Sequence, residues 1–468
     1  MNSPITNATN DCQQGAFIEL EITGLNHNGE GIGRHQDRVV FVPDAVTGDR
    51  LRVKLIQVKK NLAIAQLVDI LEPSPHRIRP HCIVADKCGG CQWQHIDPQF
   101  QAELKQQQII DALERIGKFT DLPLQPFLTA PEALGYRNKV TYPLARSKTG
   151  QVQAGYYRRG SHKVVNLNQC PVQDDRLNPF LAEIKQDINA QGWSIYDETQ
   201  KRGKLRHLGL RIGQRTGEIL LTLISAQGSL PGLEDQAQQW LDRYPDLAGV
   251  CLNLQPEPNN RIFGPTTQLI AGRDTCRERF AGLTYTLGAD TFFQINTAAA
   301  ELLLTQLQTA LDLQGNELLL DAYCGVGTFT LPLAQRVKTA IGIEINPHSV
   351  QQAQQNADIN QITNTTFLTG TVESLLPTLG DQPDILLLDP PRKGCSPSML
   401  AEIIKRRPPK IAYISCQPPT LARDLHYLCG EGGYQLTWVQ GCDFFPQTAH
   451  VECAVILTHA SVSEGNKQ

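Results

Sequence analysis

The chain lacks any apolar run near the roughly 18 residues that a membrane-spanning helix needs, so no transmembrane segment is expected. Residues 1–15 are polar and without the basic-then-apolar order of a secretion signal, which points to a cytoplasmic location. An overall basic excess is missing too. The 43 Lys and Arg are balanced by 47 Asp and Glu, so any nucleic-acid surface must be local. The 13 cysteines are an odd number spread over 468 residues. That argues against a disulfide framework and for thiol chemistry or metal binding in a reducing compartment. The dinucleotide signature G-x-G-x-x-G is absent, which weakens a dehydrogenase reading. What remains is an ordinary apolar content of 41%, enough for two to four packed domains.

The most informative stretch present is 318–329, LLLDAYCGVGTF. An apolar run ends in Asp321, a glycine-rich turn follows, and an amphipathic pattern continues from Phe329 to Val337. Strand, tight loop and helix in that order open a doubly wound α/β domain, whose ligands sit at the carboxyl ends of the strands. Glu344 ends the next apolar segment about 20 residues on, where an acid accepts hydrogen bonds from a ribose.

Ahead of this domain the chain changes character several times. Residues 1–14 read as a disordered tail. From Phe17 to about Leu71, short alternating segments separated by Asn28-Gly29, Gly31-Ile32-Gly33 and Thr47-Gly48 read as a small β-barrel. Cys82, Cys88 and Cys91 follow, with five and then two residues between them, around Gly89-Gly90. Soft thiolates at such spacing converge on zinc or an iron–sulfur cluster. Cys170 is the best fourth ligand because Pro171 constrains its loop; free buried cysteines are the plain alternative. Residues 97–117 read as a helix with a glycine stop. Two blocks, 137–163 and 201–215, then carry Arg and Lys with no Asp or Glu, and Tyr142, Tyr156 and Tyr157 interleave the first. Cations neutralise phosphates and aromatic faces stack unpaired bases, so these blocks are expected to form an RNA surface rather than merely solvated strand faces.

Later strand ends carry chemistry. Ile385-Leu386-Leu387-Leu388 leads into Asp389-Pro390-Pro391-Arg392, Ile411 to Ser415 leads into Cys416, and Glu452 enters a final apolar strand. Together these motifs resemble the S-adenosylmethionine-dependent RNA uracil-5-methyltransferase family, in its iron–sulfur branch with a TRAM domain, which includes the 23S rRNA enzymes. The barrel segment resembles TRAM through Gly24, Gly29-Glu30-Gly31-Ile32-Gly33 and Val42-Pro43.

The resemblance covers almost the whole chain and implies a multidomain α/β and all-β architecture. A TRAM/OB-like barrel is expected at 15–73. A mixed α+β central domain with a [4Fe-4S] cluster and RNA-binding surface is expected at 74–290, with helix 97–117 packing on the catalytic domain. A Rossmann-like class I methyltransferase domain is expected at 291–459, and a tail at 460–468. It implies that Cys416 is the nucleophile and Glu452 the base, that Gln294, Tyr323, Glu344 and Asp389 contact S-adenosylmethionine, and that Cys82, Cys88, Cys91 and Cys170 bind the cluster. Asn296 and Thr328 are weaker cofactor contacts. The implied partner is RNA, 23S rRNA first and transfer RNA second, with no membrane and no obligate protein partner. An inactive RNA-binding or assembly factor is the alternative of another class, and the joint presence of Cys416 and Glu452 argues against it.

The chemistry agrees with those roles. Uracil C5 is a poor nucleophile until a thiolate adds to C6, and a base must then remove the C5 proton. A free thiol has a pKa of about 8.5, so Cys416 needs help to ionise, with Arg392 a possible source. Cys324, Cys395 and Cys453 read as packing residues, and His450 as a residue that positions the Glu452 loop. One departure is Gln417, where the family usually has Asn or Asp after the nucleophile.

Overall fold

The structure, a computed structural model, describes residues 13–460; the tails expected at 1–14 and 460–468 fall almost wholly outside them. It divides into two compact units, Met1–Gln108 with Phe445–His450, and Ile109–Phe444 with Val451–Gln468.

In the first unit, β1 (Phe17–Leu25), β2 (Gly31–His35), β3 (Arg38–Val42), β4 (Arg50–Val58) and β5 (Leu62–Glu72) form a closed barrel in the order β1-β2-β3-β5-β4. Strict alternation explains it. Ile18, Leu20 and Ile22 of β1 and Leu51, Val53 and Leu55 of β4 point inward, while their charged neighbours face out. The irregular segment after β5 is anchored by Trp93, fully buried among Val46, Ile96 and Ala449, with its indole N–H donating to Gly29 O at 3.2 Å. Helix α1 (Pro98–Arg115) crosses the boundary between the units, and its Ile109, Ala112 and Leu113 belong to the apolar core of the second.

The second unit begins with β6 (Lys139–Arg146), β7 (Val152–Ala154), α2 (Asn178–Ala190), β8 (Leu205–Ile212), β9 (Ile219–Ser225), α3 (Leu233–Arg243), β10 (Leu247–Leu254) and β11 (Thr266–Gly272). Its strands form one sheet in the order β11-β10-β9-β8-β6-β7. Strand β8 is buried along its whole length. This corrects part of the expected RNA surface. Arg206 is buried and donates to the carbonyls of Gln255 and Glu257 at 3.1 and 2.6 Å, and Arg211 is buried against Thr291 O. Arg215 pairs with Glu301. Burying a guanidinium is tolerable only when its donors find acceptors, and here carbonyl oxygens supply them. Arg146, Lys148, Arg158, Lys163, Lys201 and Arg202 stay exposed.

The hairpin β12 (Thr275–Phe280) and β13 (Leu283–Gly288) and helix α4 (Thr297–Leu311) lead into the catalytic sheet. Its elements are β14 (Leu318–Asp321), α5 (Thr330–Ala334), β15 (Thr339–Glu344), α6 (Pro347–Ile359), β16 (Thr365–Thr369), α7 (Val372–Leu375), β17 (Ile385–Leu388), α8 (Pro397–Arg406), β18 (Lys410–Ser415), α9 (Pro418–Gly432), β19 (Tyr434–Cys442) and β20 (Glu452–His459). The strand order is β16-β15-β14-β17-β18-β20-β19, with β20 antiparallel to both neighbours. The direction of winding reverses between β14 and β17, and such switch points open a crevice at the strand ends. The helix expected to run to Val337 is only Thr330–Ala334. Among the described residues no helix is long and apolar enough to cross a membrane.

Candidate active site

The carboxyl end of β14 builds the first half of the site. Gly325 and Gly327 hold φ values of +54° and +83°, a region that costs other residues strain. This lets the turn fold back so that the Gly325 N–H donates to Glu344 Oε2 at 3.2 Å, while the Asn346 N–H donates to Oε1 at 2.8 Å. Glu344 is thereby fixed at the end of β15. Asp321 accepts from the Thr330 hydroxyl at 2.6 Å and from the Tyr323 N–H at 3.3 Å. Burial pushes Asp321 up to about 6, and the nearby Glu344 charge adds to this. Asp389, just past β17, is pushed up to about 7 by burial and by Asp321. The Gln294 amide donates to Asp389 Oδ2 at 3.4 Å. Gln294 itself is held from behind, since the Asn138 side-chain amide donates to Gln294 O at 2.8 Å and Thr297 Oγ1 at 3.1 Å. Three carboxylates at adjacent strand ends make a strongly acidic, largely dry crevice, which suits a ligand carrying positive charge.

The second half lies at β18 and β20. Cys416 directly follows β18 and is half-buried. Register places Cys453 of β20 opposite Ser415, so Glu452, the first residue of β20, lies beside the end of β18. Burial pushes the Cys416 thiol up to about 11; the charges of Glu452 and Asp389 push the same way, and the charge of Arg392 opposes them. Glu452 is buried and held well above the usual carboxylate range by burial and by Asp389, again opposed by Arg392. The structure thus gathers Cys416, Glu452, Asp389 and Arg392 into one electrostatic group, with Gln294 hydrogen-bonded to Asp389 and the charge of Asp321 acting on it.

Other expected residues separate from this group. Thr328 lends its carbonyl to the Tyr285 hydroxyl at 3.3 Å, and Asn296 caps α4 by accepting from the Ala299 N–H at 3.1 Å. The Asn296 side-chain N–H₂ is buried without a partner. His450 belongs to the first unit, with its ring edge-on to Phe445. Cys324, Cys395 and Cys453 are all buried, and Cys395 and Cys453 belong to the apolar core of the second unit, in keeping with a packing role. Asp321 is a participant that the motif reading did not assign, and the acid ending an apolar strand was the available signal for it; Arg392 was named as a possible source of help for the thiol.

Among the described residues no group of three or more His, Cys, Asp or Glu side chains could hold a metal ion. Cys82 is half-buried, Cys88 and Cys91 are buried, and Cys170 lies in the other unit. The local chemistry nonetheless fits a sulfur-bound group, since the Gly90 N–H already donates to Cys88 Sγ at 3.4 Å.

Comparison with known proteins gives this geometry its setting. A family model described as tRNA (uracil-5-)-methyltransferase matches residues 270–382 and 381–460, and a TRAM domain model matches 12–68. An RNA methyltransferase of Synechocystis is 73% identical over 445 residues, covering 95% of this chain and 96% of its own. The chain belongs to the RNA uracil-5-methyltransferase family. A Nostoc RNA methyltransferase is 57% identical, covering 97% of this chain and 98% of its own. Among solved structures, the Pyrococcus abyssi tRNA (uracil-54, C5)-methyltransferase in complex with S-adenosyl-L-homocysteine is similar with a TM-score of 0.76 and 26% identity, covering 94% of this chain and 99% of that one. The enzyme is therefore an S-adenosylmethionine-dependent RNA methyltransferase. Its acidic crevice fits that cofactor: Glu344 suits the ribose hydroxyls, and Asp321 and Asp389 suit the positive charge of the methionine part.

Proposed function

We propose that the enzyme methylates C5 of a uridine in 23S rRNA through a covalent bond between Cys416 and C6. The observation that carries this reading is the grouping of Cys416, Arg392, Glu452 and Asp389 at adjacent strand ends. Cys416 Sγ, as thiolate, adds to C6, and the electron pair of the C5–C6 double bond moves into the C4 carbonyl as an enolate. The bound cofactor supplies an electrophilic methyl group, which C5 takes up. Glu452 then removes the C5 proton; the electrons of that bond restore the C5–C6 double bond and expel Cys416 as thiolate. Arg392 stabilises both anionic groups. Gln294, Tyr323, Glu344 and Asp389 hold the cofactor. A buried Glu452 with a raised pKa holds the abstracted proton well, and a cationic cofactor beside it favours its ionised form beforehand.

The target base must be unstacked to reach such a crevice, so the barrel at 15–73 and the central domain at 74–290 are assigned to grip the flanking RNA and 291–459 to the chemistry. Cys82, Cys88, Cys91 and Cys170 are assigned to a [4Fe-4S] cluster on the softness of their sulfur ligands; protein purified without oxygen should carry about four iron atoms per chain, and stoichiometric zinc in their place would contradict this. A second reading, transfer RNA as substrate, is favoured by the similarity to the Pyrococcus enzyme. Mapping 5-methyluridine in both RNAs from cells lacking the protein decides between them. Loss from 23S rRNA alone is expected, and loss from transfer RNA alone would move the assignment to the second reading.

A further inference from the structure

Arg392 is the cation that opposes the charges around Cys416, yet it is exposed, in the loop 389–396 that leaves β17 before α8 begins. What fixes that loop is the helix on the far side of the nucleophile. Helix α9 starts two residues after Cys416. From it, Thr420 Oγ1 donates to Arg392 O at 3.2 Å, and Arg423 Nη2 donates to Lys393 O at 2.9 Å. Next to Arg423 on the same helix is Asp424, a carboxylate with no solvent exposure. Its Oδ2 accepts from the Cys395 N–H at 2.9 Å and the Tyr413 hydroxyl at 2.7 Å, and its Oδ1 accepts from Arg423 Nε and Nη2 at 2.9 and 2.7 Å. The loop is shaped to meet it. Gly394 has φ +74°, and a Cβ there would lie 2.5 Å from Asp424 Oδ2.

We propose that Asp424 is a positioning residue for the reaction: it latches the Arg392 loop onto the helix that follows Cys416 and so sets the guanidinium against the thiol. A buried carboxylate in a helix has no other evident purpose here. It binds loop, strand β18 and helix at once, and these are the elements that carry Arg392 and Cys416. The amide of Asn cannot replace it. Both oxygens face donors, so an Asn must turn its own N–H₂ toward donors on one side. The proposal rests on the reading of Cys416 as the nucleophile.

The test is alkylation of Cys416 by iodoacetamide in the full-length protein, read on the Cys416 peptide by mass spectrometry across a pH series. The charged groups facing the thiol are Arg392, Glu452 and Asp389. Arg392→Gln should slow alkylation near neutral pH by about tenfold, one pKa unit, and move the profile to higher pH. Asp424→Asn should move it the same way by a similar factor, and the double variant should be no slower than Arg392→Gln alone, because both changes act through one contact. An Asp424→Asn profile that matches wild type, or effects that simply add, overturns the proposal. If Asp424→Asn does not fold, the half-buried Thr420→Val serves: a two- to threefold slowing, roughly the loss of one modest hydrogen bond, is expected, and none overturns it. Failure of the nucleophile reading is separate, because it appears as a covalent RNA adduct that survives Cys416→Ala whatever the alkylation profile.

Discussion

The two halves of the crevice are built on opposite electrostatic plans. At the glycine loop, Asp321 feels the charge of Glu344 and Asp389 that of Asp321, and burial drives Asp321 and Asp389 toward the neutral form. At the nucleophile edge, Cys416 and Glu452 share a cation, Arg392, delivered on a latched loop. The difference teaches where charge is missing. A cationic ligand would supply the charge that the acidic half lacks. The nucleophile half holds its counter-charge permanently, but on one residue. Cofactor arrival should therefore favour ionisation on both sides of Asp389.

The largest expected effect is on the nucleophile side. Glu452→Gln should lower turnover by about 10²–10⁴-fold, the usual contribution of a positioned base, and should accumulate an RNA adduct on Cys416. Gel analysis of enzyme with cofactor and RNA checks it, and normal product release would contradict the role of Glu452. Next is pH. With the thiol pushed up to about 11 and Asp389 up to about 7, both ionise as pH rises, so kcat/KM should climb by up to about a hundredfold per unit below pH 7 and by roughly tenfold per unit above it, where only the thiol still titrates. A rate that falls between pH 6 and 8 would break the comparison. The smallest effect is on stability. Asp389 is raised in the folded state, so its folding contribution is full at low pH and lost as pH rises through about 7. Asp389→Asn removes that cost and should raise stability at pH 8 by on the order of 2 kcal/mol, with less gain at pH 5, while impairing activity. Chemical unfolding at the two pH values checks it.

Much of the crevice was legible because its residues sit at strand ends. An apolar run that stops at an acid or a thiol marks the position, and Asp321, Glu344, Asp389 and Cys416 all follow that rule. Glu452 was legible in mirror image, at the start of a strand. Tyr434–Cys442 escaped notice because YQLTWVQGC alternates weakly and needs its pairing with β20 to define a face. The burial of Arg206 and Arg211 was hidden for a related reason. Alternating charge in LRHLGLRI reads as a half-exposed strand, and only the sheet's neighbours cover both faces. Asp424 was invisible because an acid beside an arginine in a helix ordinarily lies on the surface. Its role comes from three elements that converge from distant parts of the chain.

The central claim is that Cys416 forms the bond to the substrate. RNA carrying 5-fluorouridine at the target blocks proton removal from C5, so the covalent adduct should persist. Incubated with cofactor and this RNA, the wild-type enzyme should give a denaturant-stable complex and Cys416→Ala none. An adduct of normal yield in Cys416→Ala would contradict the account.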